Sequence, residues 1–349
     1  MARASELSDF IEEFTSLGAK PEHVRRIWRA WLGMGSWQPP QSWRYPAALA
    51  ECMDDIRARL EALVRFAHRQ SSQAESGKLL VHLSDGECVE SVLLPRQAVC
   101  VSTQVGCAVG CVFCMTGRSG LVRQLSSAEI VAQVVAARRV RPDLKKVVFM
   151  GMGEPSHNLR AVMAAVDFLA DVAQFQHKQL VISTVGDERL FATLKAARVK
   201  PALALSLHTT DNEKRRQLLP HSRPIPVETL LQEATDYAAM SKYPLQIEWT
   251  LMAGINDSEA EVERLADLIE GKLAMVNFIA VNPIEGSVYK RPERAHMEDL
   301  ITILRRRRLV ATIRDSAAQD IEGGCGQLRA RVLAKIAPES ASETNPTKE

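Results

Sequence analysis

The chain has 349 residues, 46% apolar and 25% charged, with a formal net charge of +2. That composition excludes a chain too polar to collapse, and no apolar run is long enough to span a bilayer as a helix. A charge so close to zero means that any nucleic-acid surface must be a local patch, because there is no global excess to supply it. The length suffices for one large core and an accessory unit. Met1 to Phe10 carry Glu6 and Asp9 and no apolar core, so no signal peptide is expected and the expected location is cytoplasmic. In that compartment the seven cysteines point to ligands and catalysts, not to a disulfide framework.

Residues 1–75 read as helical. Phe10, Phe14 and Leu17 share one helical face, and Val24, Ile27, Trp28 and Trp31 share another. Gly33, Gly35 and Pro39-Pro40 end that second segment, and Trp37 and Trp43 flank the prolines. Residues 49–68 give a further amphipathic helix with Leu60, Leu63 and Val64 inward. The four tryptophans read first as the core of a small helical unit and second as a stacking platform for bases. A polar linker over 71–77 leads into two strands, Leu79–Leu83 and Cys88–Leu94, around the turn signal Asp85-Gly86. By pattern alone Glu90 on this hairpin is an exposed strand residue, and Cys88 and Cys52 are small buried apolar side chains.

From Arg96 onward short β-branched strands alternate with helical patterns. The strands are Ala98–Thr103, Lys146–Met150, Leu180–Ser183, Ala202–Ser206, Gln246–Leu251, Met275–Val281 and Leu309–Ile313. The helices between them are Ser126–Arg139, Leu159–Ala173, Glu188–Ala197, Val227–Met240, Ser258–Ile269 and Ala295–Arg307. This alternation predicts an α/β fold of parallel βα units, with ligands at the carboxyl ends of the strands. The tail after Pro338 is polar and expected to be disordered.

Cys107, Cys111 and Cys114 form C-x3-C-x2-C in a short Gly-containing loop. Three thiolates at this spacing point at one centre. Four would fill a tetrahedral metal site, whereas three leave one iron of a [4Fe–4S] cluster open to a small molecule. A zinc knuckle or three unrelated thiols are the alternatives; zinc would need a fourth ligand, and no His or Cys follows at that spacing. Gly151, Gly153 and Glu154 follow the second of the alternating strands, Ser183 ends the third, Ser206-Leu207-His208 the fourth, and Asn282 the sixth. Taken alone, Gly153 and Glu154 are a plain βα turn, His208 is a core or surface histidine, and Cys100 and Cys325 are free thiols. The basic groups Lys214-Arg215-Arg216, Arg291 with Arg294, and Arg305 to Arg308 are either solvated helix faces or phosphate contacts.

The strings Cys100-Val101-Ser102-Thr103-Gln104-Val105-Gly106-Cys107, Met150-Gly151-Met152-Gly153-Glu154-Pro155, Ser206-Leu207-His208 and Gly324-Cys325-Gly326-Gln327-Leu328 stand in this order. The combination resembles the radical S-adenosylmethionine (SAM) RNA adenine methyltransferases of the RlmN/Cfr type, over about residues 8 to 336. The resemblance implies a partial (β/α)6 barrel over 96–337 that ends in a catalytic loop. It also implies a helical RNA-binding accessory domain over 1–75, a linker and β-hairpin over 76–95, and a tail over 338–349.

It further implies a [4Fe–4S] cluster on Cys107, Cys111 and Cys114. SAM would be held by Gly153, Glu154, Ser183, Ser206, Leu207, His208 and Asn282. Cys325 would be a methyl-carrying nucleophile, Cys100 its resolving partner through a transient disulfide, and Glu90 a proton acceptor, although this chain is shorter between Pro95 and Arg96. The implied partners are rRNA or tRNA and an electron donor such as flavodoxin or ferredoxin, with no membrane and a monomeric state. The implied target is carbon 2 of an adenosine in 23S rRNA or tRNA. Carbon 8, a non-RNA substrate of a radical-SAM enzyme, and a non-catalytic RNA-binding paralogue are the alternatives. Two departures bear on the target: Ser316 to Ile321 lack the Arg-Gly pair usual before the last cysteine, and Val185 to Glu188 lack a proline often seen there.

Overall fold

The computed structural model describes residues 5–63, 76–118, 120–282 and 286–314, and the backbone alone of 65–71. Four helices open the chain: α1 (Leu7–Ser16), α2 (Pro21–Trp31), α3 (Ala47–Glu51) and α4 (Met53–Ala62). Proline at the first position of α2 suits a helix start, where no N–H partner is lost. The helix expected over 49–68 is broken at Cys52 and stops at Ala62, and Arg65–Ser71 form strand β1. Pairing settles this, because β1 lies antiparallel to β2 (Gly77–His82) from Arg65 opposite His82 to Ser71 opposite Gly77.

β2 and β3 (Cys88–Leu94) form the expected hairpin around Asp85-Gly86, with Gly86 at φ +89°. The hairpin is not an appendage. β3 pairs antiparallel with β4 (Ala98–Cys100), with Val92 opposite Cys100, and so extends the main sheet. A small second sheet follows, β5 (Gln104–Gly106) with β6 (Leu121–Gln124), bracketing the short helix α5 (Met115–Arg118).

The alternating part then runs α6 (Ser127–Val140), β7 (Lys146–Phe149), α7 (Leu159–Asp171), β8 (Leu180–Thr184), α8 (Glu188–Ala196) and β9 (Ala202–Ser206). It continues with α9 (Asn212–Leu218), α10 (Val227–Ser241), β10 (Leu245–Leu251), α11 (Glu259–Ile269), β11 (Ala274–Ala280), α12 (Arg294–Arg306) and β12 (Val310–Arg314). Strands β4, β7, β8, β9, β10, β11 and β12 are parallel neighbours in that order, and β1 and β12 are the two ends of the sheet. This is the expected partial barrel: six crossover helices cover one face of an open parallel sheet.

The strands alternate between two environments. Val147, Phe149, Ile182, Leu203, Leu205, Ile247, Trp249, Val276 and Phe278 pack outward under the helices. Val148, Val181, Ala202 and Ala204 face the other way, into the lumen. Small side chains there keep the lumen open. The N-terminal helices share the outer core: Trp28 and Trp31 meet the ring of Phe168 on α7, at 5.2 and 6.4 Å between centroids. Trp28 and Trp31 are therefore core, as expected. Trp37 and Trp43 are half-buried, with the guanidinium groups of Arg57 and Arg26 over their rings. No helix among the described residues is long and apolar enough to cross a membrane.

Candidate active site at the carboxyl ends of the strands

The cysteine loop, residues 107–114, is closed at its base by the β5–β6 sheet. Cys107 N donates to Gly120 O at 2.9 Å. Gly106 permits this closure: a Cβ there would lie 1.9 Å from Gly120 O. The loop is tied to the segment after β9 by Val112 N to Leu218 O and His221 N to Val109 O, both at 3.1 Å. Its apolar residues, Val109, Val112 and Phe113, pack with Val185, Leu218, Leu219, Met252 and Val281 across the strand ends. The cysteine loop thus caps the barrel mouth.

Cys107 is buried and its thiol is pushed up to about 12, first by burial and then by the charges of Glu154 and Cys114. Cys111 is raised well above its usual value by burial and by Cys114, Cys107 and Glu154. The three sulfurs are therefore mutual neighbours beside one carboxylate. Among the described residues no three His, Cys, Asp or Glu side chains converge on a single metal ion. Three sulfur donors suit iron–sulfur chemistry, and their protons must leave as metal enters.

Glu154 follows β7 and is 4% exposed. Its carboxylate accepts from Thr184 Oγ1 at 2.5 Å, Val185 N at 3.0 Å and Ser156 N at 3.0 Å. Its own N–H donates to Gln104 Oε1 at 2.7 Å. Gly153, at φ +103°, lets that side chain pass: a Cβ there would come within 2.6 Å of Gln104 Cβ. The turn is therefore built to hold a carboxylate rigidly in front of the cysteine loop.

Ser183 and Ser206 place their hydroxyl oxygens 3.4 Å apart on adjacent strands. Leu207 is core, and its N–H donates to Glu248 O at 3.1 Å. His208 adopts φ +66°, uncommon for a residue with a Cβ. Asn256 Nδ2 donates to His208 O at 2.6 Å and to Thr250 O at 2.8 Å, and so locks that conformation. Thr250 N donates to His208 Nδ1 at 3.0 Å, which puts the ring proton on Nε2. Burial, then Arg215, pulls His208 down to about 3, so the imidazole is neutral at physiological pH. Phe113 of the cysteine loop meets its ring edge-on at 4.9 Å. Asn282 lies half-buried just past β11.

Glu90 is corrected by the structure. It is 4% exposed, not a solvent-facing strand residue. β3 is interior to the sheet, between β2 and β4, so both of its edges are paired. Glu90 stands diagonal to Cys100 across the β3–β4 pair, because Val92 is opposite Cys100. Cys100 is buried, and its thiol is pushed up to about 12 by burial and then by the charge of Glu90. Cys88 is buried, with Sγ 3.1 Å from His82 Nδ1, and Cys52 is half-buried against the core. Cys325 and the segment Ser316 to Ile321 lie outside the described residues.

Four residues of the basic groups are committed to carboxylates. Arg307 pairs with Asp267 and Glu270 at 2.8 and 2.7 Å, Arg294 pairs with Glu298, Lys214 with Glu261, and Arg216 with Glu213. Arg215 differs from these in being buried. Its position in a basic run conceals this, and α9 itself is signalled only by Asp211, which accepts from Lys214 N at 2.9 Å. Thr184 and Asn256 likewise read as ordinary strand and turn residues. What each holds becomes visible only when three strand ends meet.

A model of the radical SAM superfamily matches residues 101–269. A protein named probable RNA methyltransferase from Ectopseudomonas mendocina is 49% identical over 333 residues, 94% of this chain and 96% of the relative. One of the same name from Leptothrix cholodnii is 51% identical over 334 residues, again 94% and 96%. A solved radical SAM methyltransferase from Sphaerobacter thermophilus superposes with a TM-score of 0.80 at 33% identity, covering 93% of this chain and 97% of that one. The chain is a radical SAM enzyme, whose cofactors are a [4Fe–4S] cluster and SAM. More narrowly, it belongs to the radical SAM RNA methyltransferase family of these relatives.

Proposed function

We propose that this enzyme methylates carbon 2 of an adenosine in rRNA or tRNA through a methylated cysteine. The observation that carries the reading is the buried pair of Glu90 and Cys100 on neighbouring strands, with Cys100 beside Val148 on the lumen side of the sheet. A resolving thiol and a proton acceptor are both needed only when the methyl carrier is itself a cysteine.

The cluster and SAM, held by Cys107, Cys111 and Cys114 and by Gly153, Glu154, Ser183, Ser206, Leu207, His208 and Asn282, supply a hydrogen-abstracting carbon radical. The chain's own residues do the rest. The Cys325 thiolate first displaces the methyl group of one SAM, forming an S–CH3 bond and releasing S-adenosylhomocysteine. Loss of one hydrogen atom from that methyl leaves a carbon radical that adds to adenine. The amidine carbon of adenine is electron-poor and cannot attack SAM itself, which is why a radical route is required. Glu90 takes the proton from the substituted carbon, and the one electron the adduct must lose to become aromatic again would return to the cluster that had given one up. Cys100 attacks the sulfur of Cys325, the carbon–sulfur bond breaks, the released carbon takes up the proton that Cys100 gives up and becomes the methyl group, and a labile disulfide remains for cellular thiols to reduce.

Burial and the neighbouring Glu90 charge hold Cys100 as a thiol, so its proton is retained until the adduct is resolved. RNA recognition falls to the N-terminal helices α1 to α4 and to local basic groups. Flavodoxin or ferredoxin supplies electrons, and the protein acts as a monomer in the cytoplasm.

The test is nucleoside mass spectrometry of rRNA and tRNA from cells with and without the gene. Loss of 2-methyladenosine in the deletion is the expected result. Loss of 8-methyladenosine would replace carbon 2 by carbon 8, and unchanged RNA would overturn the reading.

A further inference from the structure

Gln246 carries a buried amide donor with nothing to bond. The residue is 5% exposed, and among the described residues its Nε2 finds no acceptor. Its neighbours in the sheet explain the lack. Ala204 on β9 and Met275 on β11 stand beside it, and neither side chain offers an oxygen or a nitrogen. The strand fixes its direction. Leu245, Ile247 and Trp249 of β10 belong to the outer core under the helices, so Gln246 faces the lumen.

The lumen wall between Cys100 on β4 and Gln246 on β10 is lined by the small apolar side chains Val148, Val181, Ala202 and Ala204. Polar side chains on the adjoining strands are committed to one another, Ser183 with Ser206 and Glu248 with Asn277. A desolvated amide donor costs stability unless a partner arrives, and a buried group left in this state calls for one.

A carboxamide offers one donor side and one acceptor side by side. An adenine edge offers the complement: N7 accepts and the 6-amino group donates. A flat ring can lie against a wall of small side chains, where the amide is the group that fixes its orientation. The edge chosen decides which carbon stays open. An amide on N7 and the 6-amino group covers the side of the base that carries carbon 8. Carbon 2 lies across the six-membered ring and remains free. An amide on N1 and the 6-amino group would crowd carbon 2 instead.

We propose that Gln246 recognises the substrate adenine, donating from Nε2 to N7 and accepting at Oε1 from the 6-amino group. The inference rests on the carbon-2 reading above and gives it a specificity-determining residue. An ordered water bound to Nε2 is the competing occupant, and the experiment separates the two.

Wild type, Gln246→Met and Gln246→Asn, each reconstituted with cluster and checked for iron content, are compared on transcripts of rRNA and tRNA. The transcripts are made with ATP or with 7-deaza-ATP, in which a C–H group replaces N7. Wild type should lose roughly 10- to 100-fold in kcat/KM on the 7-deaza RNA. Gln246→Met should lose as much on ordinary RNA and then distinguish the two RNAs by no more than about 3-fold. Gln246→Asn keeps an amide one methylene shorter and should keep part of the discrimination. Undiminished methylation of 7-deaza RNA by wild type would overturn the proposal. So would an equal 7-deaza penalty in wild type and Gln246→Met, which would place the effect in the RNA and leave Gln246 to a water. Wild type that methylates neither RNA, or that forms 8-methyladenosine, would instead remove the carbon-2 reading beneath it.

Discussion

Phe278 and Asn277 are neighbours on β11, yet they live in different solvents. Phe278 points outward, fully buried against Trp249 with ring centroids 6.0 Å apart. Asn277 points into the lumen, equally buried, donating to Glu248 Oε1 at 2.9 Å and accepting from Thr312 Oγ1 at 2.9 Å. The same alternation separates Trp249 from Glu248 on β10 and Leu205 from Ser206 on β9. The outer face holds the fold by area and packing. The inner face and the strand ends carry polar groups whose partners are specific, so substitutions there should change chemistry or ionisation more than stability.

The sharpest test of that division is at the cysteine loop. Changing Cys107, Cys111 and Cys114 together to Ala should reduce bound iron to background and abolish SAM cleavage. The thermal unfolding of the metal-free protein should stay close to that of metal-free wild type, by iron assay and calorimetry. Unfolding of the triple variant would mean that the mouth carries stability after all.

Cys100→Ala should let methyl transfer and addition to RNA proceed but not release. A denaturing gel with labelled RNA should then show a covalent protein–RNA species that disappears in the Cys100→Ala/Cys325→Ala double variant. Normal turnover without that species would leave Cys100 as simple packing.

On the outer face, Phe278→Ala should cost about 3–5 kcal/mol by denaturant unfolding, while SAM cleavage per folded, cluster-loaded molecule is retained. Its neighbour Asn277→Ala should cost less, about 1–3 kcal/mol, from the buried Glu248 oxygen left without its donor. Burial already raises the Glu248 pKa, so part of that cost should vanish at acid pH as the carboxyl takes a proton.

A further effect concerns pH. The folded protein holds His208 at about 3, below its ordinary 6.5. Below 6.5 the unfolded chain therefore binds a proton that the folded one refuses, so stability falls as pH drops from 6.5 towards 3. His208→Asn tolerates positive φ and can still accept from Thr250 N, but it does not titrate. The stability difference between wild type and variant should shift in favour of the variant over that window. A pH-independent difference would place His208 in contact with water.

Much of this was legible in the sequence. The seven parallel strands and six crossover helices fall within a residue or two of their expected ends, except that the first strand stops at Cys100 and not at Thr103. Periods of 2 and 3.6 are local properties, and a fully buried parallel strand must be apolar wherever it occurs. The cysteine spacing and the glycines around Glu154 are equally local. Each motif among the described residues falls at or beyond a strand end, as chain order predicts.

The environment of single polar residues was not legible. Glu90 looks like any exposed strand carboxylate until β4 pairs beside it. Arg215 looks like the middle of a solvated basic run until α9 folds over the end of β9. Arg65–Ser71 look helical until β2 offers them a partner. In each case the sign of the answer depends on which distant segment arrives to exclude water or complete a hydrogen bond. The sequence by itself determined the elements, their order and the chemistry available. Burial, charge coupling and the pairing of Glu154, Cys100 and Arg215 with their surroundings were decided only by the tertiary structure, because desolvation and Coulomb interaction act through space and not along the chain.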